Sequence, residues 1–583
     1  MSEKDLKKEI LELKAQIRKL KKNNLGLVFE DKSEDVVEQS KVKVPVLKEI
    51  VKNRLDLAEE YPNNLMIEGD NYLALSVLNY THKDKIDLIY IDPPYNTGNK
   101  DFIYNDHYVD SEDSYRHSKW LSFMRNRLVL ARELLKNDGI IFISIDDNEH
   151  AHLKILCDRI FGEKNCLSIH HIQVRYGEKS LNEKKDFQEL LEYVLVYAKD
   201  ASQFSANRPT EEYNFDSFNL DIKELNKPDE ITEINGRKVE IFKKGSYSIK
   251  KQGEGNIDLF KETWLSGSIY SGTGHGKMYQ KVVEPRVKDD GLSTLYKIHG
   301  LGEDGLGYRY MIGPQREGSS RGKMFTKIPI KKREQFDNGD LQRSKTIINF
   351  YDFSPDFGNI RHEGGVGFNS GKKPVKLIKQ FINYHRNKNI TVLDFFAGSG
   401  TTGHAVLSLN KDDKGSRKFI LCTNNENNNG SGKIATDICY PRIKNVIKGY
   451  SSVKGIPSNL SYYQTDLVDI EQIHKVPDEA KIRITYQAGE MIAVREDTLN
   501  EVEKNEWWQI FEGNGKITAI YFKEDKAKLE DLIDKLEKKN LPVALYIFSW
   551  GKNEYKGEYS SQNIRVEDIP EPIIEVYKEL NRL

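Results

Sequence analysis

Four cysteines in 583 residues, at positions 157, 166, 422 and 439, form no close Cys-x-x-Cys pair. That spacing argues against a zinc site and against a disulfide framework, and it fits reduced, buried thiols in a cytoplasmic protein. No run of about 18 apolar residues occurs, so no membrane span is expected. The first residues are too charged for a secretory signal. Neither sign of charge dominates: 89 Lys and Arg stand against 90 Asp and Glu, a formal net charge of -1. A global basic field for nucleic acid is excluded, and any such surface must be local. The phosphate loop Gly-x-x-x-x-Gly-Lys-Ser/Thr is missing, so no ATP-driven motor is encoded, and no nuclease motif is present. The length, at roughly 100–200 residues per domain, implies several domains.

What is present centres on Leu88-Ile-Tyr-Ile-Asp-Pro-Pro-Tyr-Asn-Thr-Gly98. Ile86, Leu88, Ile89, Tyr90 and Ile91 make the apolar run of a buried parallel strand. Asp92-Pro93-Pro94-Tyr95 ends it. Consecutive prolines donate nothing to a ladder and force an extended, rigid exit. The spacing predicts a stiff corner at the carboxyl end of a strand, where open α/β sheets hold ligands. The exocyclic amino group of a nucleobase has two hydrogens to donate and a lone pair delocalised into its ring. The Asp92 carboxylate and the Pro93 carbonyl can accept those hydrogens and turn the lone pair out of plane, while Tyr95 stacks on the base. The plain alternative is a proline turn after a strand.

The rest of the chain supplies a frame. Leu6, Ile10, Leu13, Ile17 and Leu20 alternate at steps of four and three, a short heptad seam on a helix over 1–24. It suits either self-association or packing on its own domain. Residues 25–162 alternate strand and helix: a strand at Leu65–Ile67, a helix through Leu73 and Leu78, the strand into Asp92, and a helix over 115–136 capped by Asn137-Asp138-Gly139. The strand Ile140–Ile145 then closes on Asp146-Asp147-Asn148-Glu149. This alternation predicts an α/β fold with a doubly wound, mostly parallel sheet. Over 163–345 the pattern loosens around one clear strand, Glu192–Tyr197. Arg316, Arg321, Lys323 and Lys327 lie there in a basic stretch with interleaved aromatics, which can follow phosphates and stack bases; a solvated insertion reads the same way. The α/β pattern resumes over 346–450, and 451–583 reads as a separate small α/β region.

In the second α/β segment the strand Ile390–Asp394 enters Phe395-Phe396-Ala397-Gly398-Ser399-Gly400-Thr401-Thr402-Gly403, which opens a helix. Glycines at 398, 400 and 403 let a ligand press on backbone at a helix N-terminus, a generic nucleotide signal. Glu426, one βα unit on, suits ribose hydroxyls. A dinucleotide cofactor stays open on these residues, although the Phe-x-Gly-x-Gly turn after an aspartate and the lack of a hydride-transfer partner disfavour it.

Asp92-Pro-Pro-Tyr95 together with Asp394-Phe-Phe-Ala-Gly-Ser-Gly400 resembles the paired signature of amino-methylating DNA methyltransferases. The catalytic motif precedes the cofactor motif by about 300 residues, an order that resembles the β class, whose intervening region reads DNA. Ile91–Gly98, Trp120–Leu135, Ile143–Glu149 and Lys373-Pro374 extend the likeness to the modification (Mod) subunits of type III restriction systems, over about half the chain. The resemblance implies S-adenosylmethionine as cofactor, double-stranded DNA as substrate and N6 of a flipped adenine as target, because Asp rather than Ser leads the first motif. It implies Asp92 and Pro93 as acceptors, Pro94 as part of the rigid corner, and Tyr95 as the stacking ring. It implies a cofactor pocket of Asp394, Phe396, Ala397, Gly398, Ser399, Gly400 and Thr401, with Asp394 toward the methionine end and Glu426 on the ribose. Arg316, Arg321, Lys323 and Lys327 become DNA contacts within a target-recognition region. A homodimer and a separate restriction subunit carrying cleavage are also implied, unless the enzyme is an orphan. Cytosine-N4 methylation differs only in product. A nicotinamide-dependent oxidoreductase leaves the Asp92 corner unused, and a non-catalytic recognition subunit is at odds with the intact motifs. The recognition sequence is not legible, since no code-like repeat occurs.

Overall fold

The computed structural model describes residues 29–583 apart from 59, 100, 178–185, 339–341, 359, 369–370, 428–431, 474–475, 551–554, 556 and 582–583; of the first 28 it describes only Lys14. The heptad helix expected over 1–24 therefore lies outside the described residues. The chain forms two compact units, Met1–Asn207 with Ile348–Leu583, and Arg208–Ile347.

The first unit is built on a ten-stranded sheet. Its strands are β1 (Lys43–Glu49), β2 (Asn63–Glu68), β3 (Ile86–Ile91), β4 (Leu135–Ile145), β5 (Cys166–Gln173), β6 (Leu191–Ala198), β7 (Phe350–Asp352), β8 (Thr391–Asp394), β9 (Lys418–Thr423) and β10 (Asn459–Asp469). Their spatial order is β1-β10-β2-β9-β8-β3-β4-β6-β5-β7. From β10 to β4 all neighbours are parallel, while β1 and β6 run antiparallel to β10 and β4. The fold is thus a doubly wound, mostly parallel sheet. Helices cover the centre on both faces, so β3 is buried at every position and shows no alternation.

The helices that matter for the site are α1 (Asn71–Thr81), α2 (Arg116–Leu134), α3 (His150–Cys157), α4 (Val375–Ile382), α5 (Thr401–Asp413) and α6 (Tyr440–Lys448). The chain leaves β3 toward β4 on one side, and leaves β8 toward β9 on the other. Neighbouring strands whose connections diverge define a topological switch point, the crevice where such sheets bind ligands. The pairing there is Val392 with Leu88 and Leu393 with Ile89.

Three boundaries differ from the sequence expectation. Asn137-Asp138-Gly139 does not cap α2; the strand begins at Leu135, which pairs with Ile86 before the register shifts to Leu88 and Ile140. The apolar slot beside Ile86 draws Leu135 into the sheet, and the three polar residues become a tight bulge in which a Cβ on Gly139 would stand 2.9 Å from the Lys136 carbonyl. Residues 163–207 join the main sheet, because β6 pairs with the buried half of β4 and β5 with β6; the second unit starts at Arg208. The tail is not wholly separate either, since β10 inserts between β1 and β2. Beyond it, strands over 500–569 form a five-stranded sheet. Met491, Ile492, Ile573 and Tyr577 share one core with Leu73 and Leu78 of α1, which explains why that helix is buried on all sides.

The second unit holds a six-stranded antiparallel sheet with Val239, Ile241, Tyr279, Tyr296 and Met311 in its core. Among the described residues no helix is long and apolar enough to cross a membrane.

Candidate active site

Asp92 follows the last residue of β3, with Pro93 buried and Asp92 and Tyr95 half-buried. The corner is held from behind. The fully buried indole of Trp120 on α2 donates to the Pro94 carbonyl at 2.7 Å. Asn96 turns the chain with φ +58° and donates to Glu149 Oε1 at 2.6 Å. Glu149 is fully buried and is also met by Nδ1 of His117 at 2.6 Å and Nδ1 of His152 at 2.8 Å. Hydrogen bonding to Glu149 raises the His152 imidazole above its ordinary range. These three side chains are of metal-ligating type and close enough together to hold an ion. Arg116 donates to the far nitrogen of His117 at 3.2 Å, however, which makes His117 an Nδ1–H donor to Glu149. The arrangement is complete as a hydrogen-bonded buttress for the corner.

In front of the corner stands a four-membered polar group. Lys373 Nζ lies 3.1 Å from Asp92 Oδ2 and 3.2 Å from Glu192 Oε2, and donates to the Tyr95 hydroxyl at 2.9 Å. That hydroxyl is 3.0 Å from Asp92 Oδ1 and 3.0 Å from Glu192 Oε2. Burial raises the Asp92 carboxyl; Lys373 works against that rise and Glu192 adds to it. Burial alone would lower the Lys373 ammonium, but Asp92 and Glu192 outweigh it and the group is raised. Burial, with both carboxylates, pushes the Tyr95 phenol well above its usual range. Lys373 and Glu192 were not among the residues expected at the site. The signal for Glu192 is that it is the one charged residue of β6, Leu-Glu-Tyr-Val-Leu-Val-Tyr-Ala. For Lys373 it is a buried lysine directly before Pro374 and the apolar α4.

The glycine turn begins where β8 ends. Asp394 is 3% exposed and spends both oxygens inside the turn: Oδ1 accepts from the Phe396 amide at 3.0 Å and Oδ2 from Thr402 Oγ1 at 2.5 Å. Burial raises its carboxyl to about 7 against those two hydrogen bonds, with Asp92 adding to the rise. Ser399 and Thr401 face inward, where the buried Arg442 of α6 donates to their hydroxyls at 2.9 and 2.8 Å. Phe396 is half-buried and packs against Phe123 of α2, ring centroids 5.9 Å apart; Ala397 is buried. Gly398 and Gly400 take φ +49° and +78°. A Cβ on Gly400 would press on Cys439 Sγ at 3.0 Å, whereas one on Gly398 would meet nothing nearer than the Phe396 carbonyl at 3.8 Å. Gly398 therefore offers open backbone. Glu426 is exposed, three residues beyond the end of β9. Three adjacent strands thus bring the Asp92 corner, the 395–400 turn and Glu426 to one edge, with Asp394, Ser399 and Thr401 shaping the turn from within. A cavity of about 600 Å³ lined by Asn63, Lys85, Thr391 and Lys418 lies at the opposite, amino ends of the strands.

The four basic residues expected on DNA lie in the second unit. Arg316 and Arg321 are exposed in the loop between strands Tyr308–Ile312 and Lys323–Thr326. Lys323 pairs with Glu262 at 2.9 Å and sits 4.5 Å from the half-exposed Trp264 ring. Lys327 Nζ is 5.0 Å from the Phe260 ring.

Comparison with known proteins bears on this geometry. Residues 86–431 match the model of the DNA methylase family. The chain is 31% identical over 392 residues to the Mod subunit of the type III restriction-modification enzyme StyLTI of Salmonella typhimurium, covering 62% of this chain and 52% of that one. It is 30% identical over 402 residues to the Mod subunit of the type III enzyme EcoPI of Escherichia phage P1, covering 62% and 58%. It is 32% identical over 367 residues to the type II methyltransferase M.KpnI of Klebsiella pneumoniae, covering 61% and 79%. The chain spans little more than half the length of these two type III relatives. The matched family segment holds both the Asp92 corner and the glycine turn, and the chain belongs to the DNA methylase family.

Proposed function

We propose that this protein transfers a methyl group from S-adenosylmethionine to N6 of an adenine flipped out of double-stranded DNA, as the modification subunit of a restriction-modification system. The observation that carries this reading is the pairing of β3 with β8. It sets the Asp92 corner beside the 395–400 turn, although about 300 residues separate them in the chain. The residues fit the cofactor. Open backbone at Gly398 admits a ligand against the turn, Phe396 offers a half-buried ring, and the carboxylates of Asp70, Asp92 and Glu426 at the strand ends suit a cationic molecule with ribose hydroxyls.

S-adenosylmethionine supplies a methyl group already activated by its sulfonium, so holding the amine in line accounts for much of the rate. Asp92 and the Pro93 carbonyl orient the amine. Lys373 donates to Asp92 Oδ2, and that carboxylate oxygen keeps a second lone pair for the incoming amino group. Tyr95 covers the base, and Trp120 and Glu149 keep the corner rigid. Extrusion of a base costs a few kcal/mol, which calls for a grip elsewhere on DNA; Arg316 and Arg321 support that role for the second unit. The names of the type III relatives support a separate restriction subunit as partner. The heptad spacing of Leu6 to Leu20 supports a homodimer, which light scattering at micromolar concentration tests.

The deciding experiment is transfer of labelled methyl from S-adenosylmethionine to mixed-sequence DNA, with product nucleosides resolved by mass. N6-methyladenine from the wild type and a loss of at least about 100-fold in Asp92→Ala are expected. N4-methylcytosine would overturn the base assignment, and a wild type that neither binds cofactor nor modifies DNA would overturn the whole reading.

A further inference from the structure

We infer that Glu192 is a positioning residue of this reaction, taking up through the Tyr95 hydroxyl the proton that the target amine gives to Asp92. The inference rests on the methyltransferase reading above and concerns where its proton goes.

The geometry poses a counting problem. A tyrosine hydroxyl has one hydrogen to donate. Tyr95 stands 3.0 Å from a carboxylate oxygen on each side, Asp92 Oδ1 and Glu192 Oε2, and it accepts from Lys373. One hydrogen cannot serve both carboxylates. The line closes without a repulsive contact when one further proton resides on it, as Asp92–O–H to Tyr95 O–H to Glu192, or as its mirror image. A hydrogen-bonded line with two equivalent proton arrangements is a relay.

Two features keep its ends matched. Lys373 is 3.1 Å from one carboxylate and 3.2 Å from the other, so moving the negative charge between them leaves its attraction to the ammonium nearly unchanged. Among the described residues an acidic group flanks each end: Asp394 at the end of β8 interacts with Asp92, and Asp146 at the end of β4 with Glu192. Glu192 is also partly open, with a fifth of its side chain exposed (21%), and that gives the line an outlet.

The step balances. The amine lone pair forms the new N–C bond, the electron pair of the broken S–CH3 bond stays with sulfur as a thioether, and the nitrogen holds one proton too many. That proton passes to the Asp92 carboxylate. In the form ready for transfer the retained proton sits on Glu192 and Asp92 is bare. Once Asp92 has taken the proton of the amine, Glu192 gives its own to water. Asp92 then passes its proton to the Tyr95 oxygen as Tyr95 gives its hydrogen to Glu192, and the line again holds the one proton it began with.

The test compares wild type, Glu192→Gln, Tyr95→Phe and the double variant in single-turnover methylation across pH. Glu192→Gln keeps the shape and one hydrogen bond but accepts no proton, and Tyr95→Phe keeps the ring. Each is expected to slow transfer about 100-fold and to displace the acid limb of the wild-type pH profile, which in the variants reports Asp92 without its relay partner. The double variant should be no slower than the slower single one, since both cut the same line. Formate should restore Glu192→Ala but not Tyr95→Phe. In cofactor-free protein, infrared difference spectra against Glu192→Gln should show a first proton shared by Asp92 and Glu192, and Asp92→Asn should shift the Glu192 band. An unchanged rate and pH profile in Glu192→Gln, additive losses in the double variant, or a Glu192 band indifferent to Asp92→Asn overturns the relay while an active wild type upholds the methyltransferase reading. A wild type that methylates no DNA removes that reading itself.

Discussion

Lys373 is enclosed by three oxygens of Asp92, Tyr95 and Glu192, with 8% of its side chain exposed. It is the counter-charge that lets two carboxylates share a half-buried corner. In Lys373→Met those carboxylates lose their cation, and breaking such a buried pair costs about 3–5 kcal/mol. Protonation relieves the repulsion, so the loss of melting temperature in Lys373→Met should be larger at mildly alkaline than at mildly acidic pH; a pH-independent loss would mean that packing, not charge, is the lysine's role. Asp394 poses the converse case. Its folded carboxyl is raised to about 7 from the ordinary 3.8, so the native state holds this proton more tightly than the unfolded chain does. Below the ordinary value both states are protonated and the group is neutral to stability. As pH rises from there to about 7, stability is lost, and above 7 the penalty stays constant. Asp394→Asn keeps an acceptor for the Phe396 amide and cannot ionise. Thermal unfolding across that window should therefore show the variant gaining on the wild type as pH rises, and a difference that does not vary with pH would refute the assignment.

At the level of elements the two glycines of the turn separate folding from binding. Gly400→Ala must take φ +78° and push Cβ against Cys439 Sγ at 3.0 Å. Gly398→Ala meets the same left-handed penalty of about 1–2 kcal/mol but no neighbour closer than 3.8 Å. Calorimetric unfolding should find Gly400→Ala the less stable of the two. S-adenosylmethionine titration should find Gly398→Ala about tenfold weaker than wild type even where it is fully folded, because the added methyl fills the space left for ligand. The turn itself was legible from sequence, since its glycines are spaced by local backbone need. The Asn137-Asp138-Gly139 cap was misread for an equally local reason: a polar tripeptide reads the same as a helix stop or as a bulge, and the choice was made by Leu135 finding Ile86 across the sheet.

For the whole molecule, what could be read in advance and what could not divide along sequence distance. Alternating strands and helices carry period and length in the chain itself, so the doubly wound sheet was legible. The adjacency of β3 and β8, the entry of β10 between β1 and β2, and the arrival of Glu192 and Lys373 at Asp92 depend on partners about 100 to 400 residues away, and no window of sequence contains them. The same limit hid which basic residues are available to DNA. With a net charge of -1 the protein cannot rely on a general field, so contacts must come from particular side chains. Lys323 is engaged by Glu262 and Trp264, and Lys327 lies against Phe260, whereas Arg316 and Arg321 are exposed on their loop. Each phosphate contact contributes about 0.9 to the slope of log binding constant against log salt. Arg316→Ala with Arg321→Ala should therefore lower that slope by about 2 and weaken DNA binding about equally for all sequences. Lys323→Ala should change the slope by less than about half of one contact, since its ammonium must first leave a carboxylate. Fluorescence anisotropy over a salt series checks both. A larger effect from Lys323 than from the arginine pair would move the DNA-facing surface from the loop to the strand that carries Trp264.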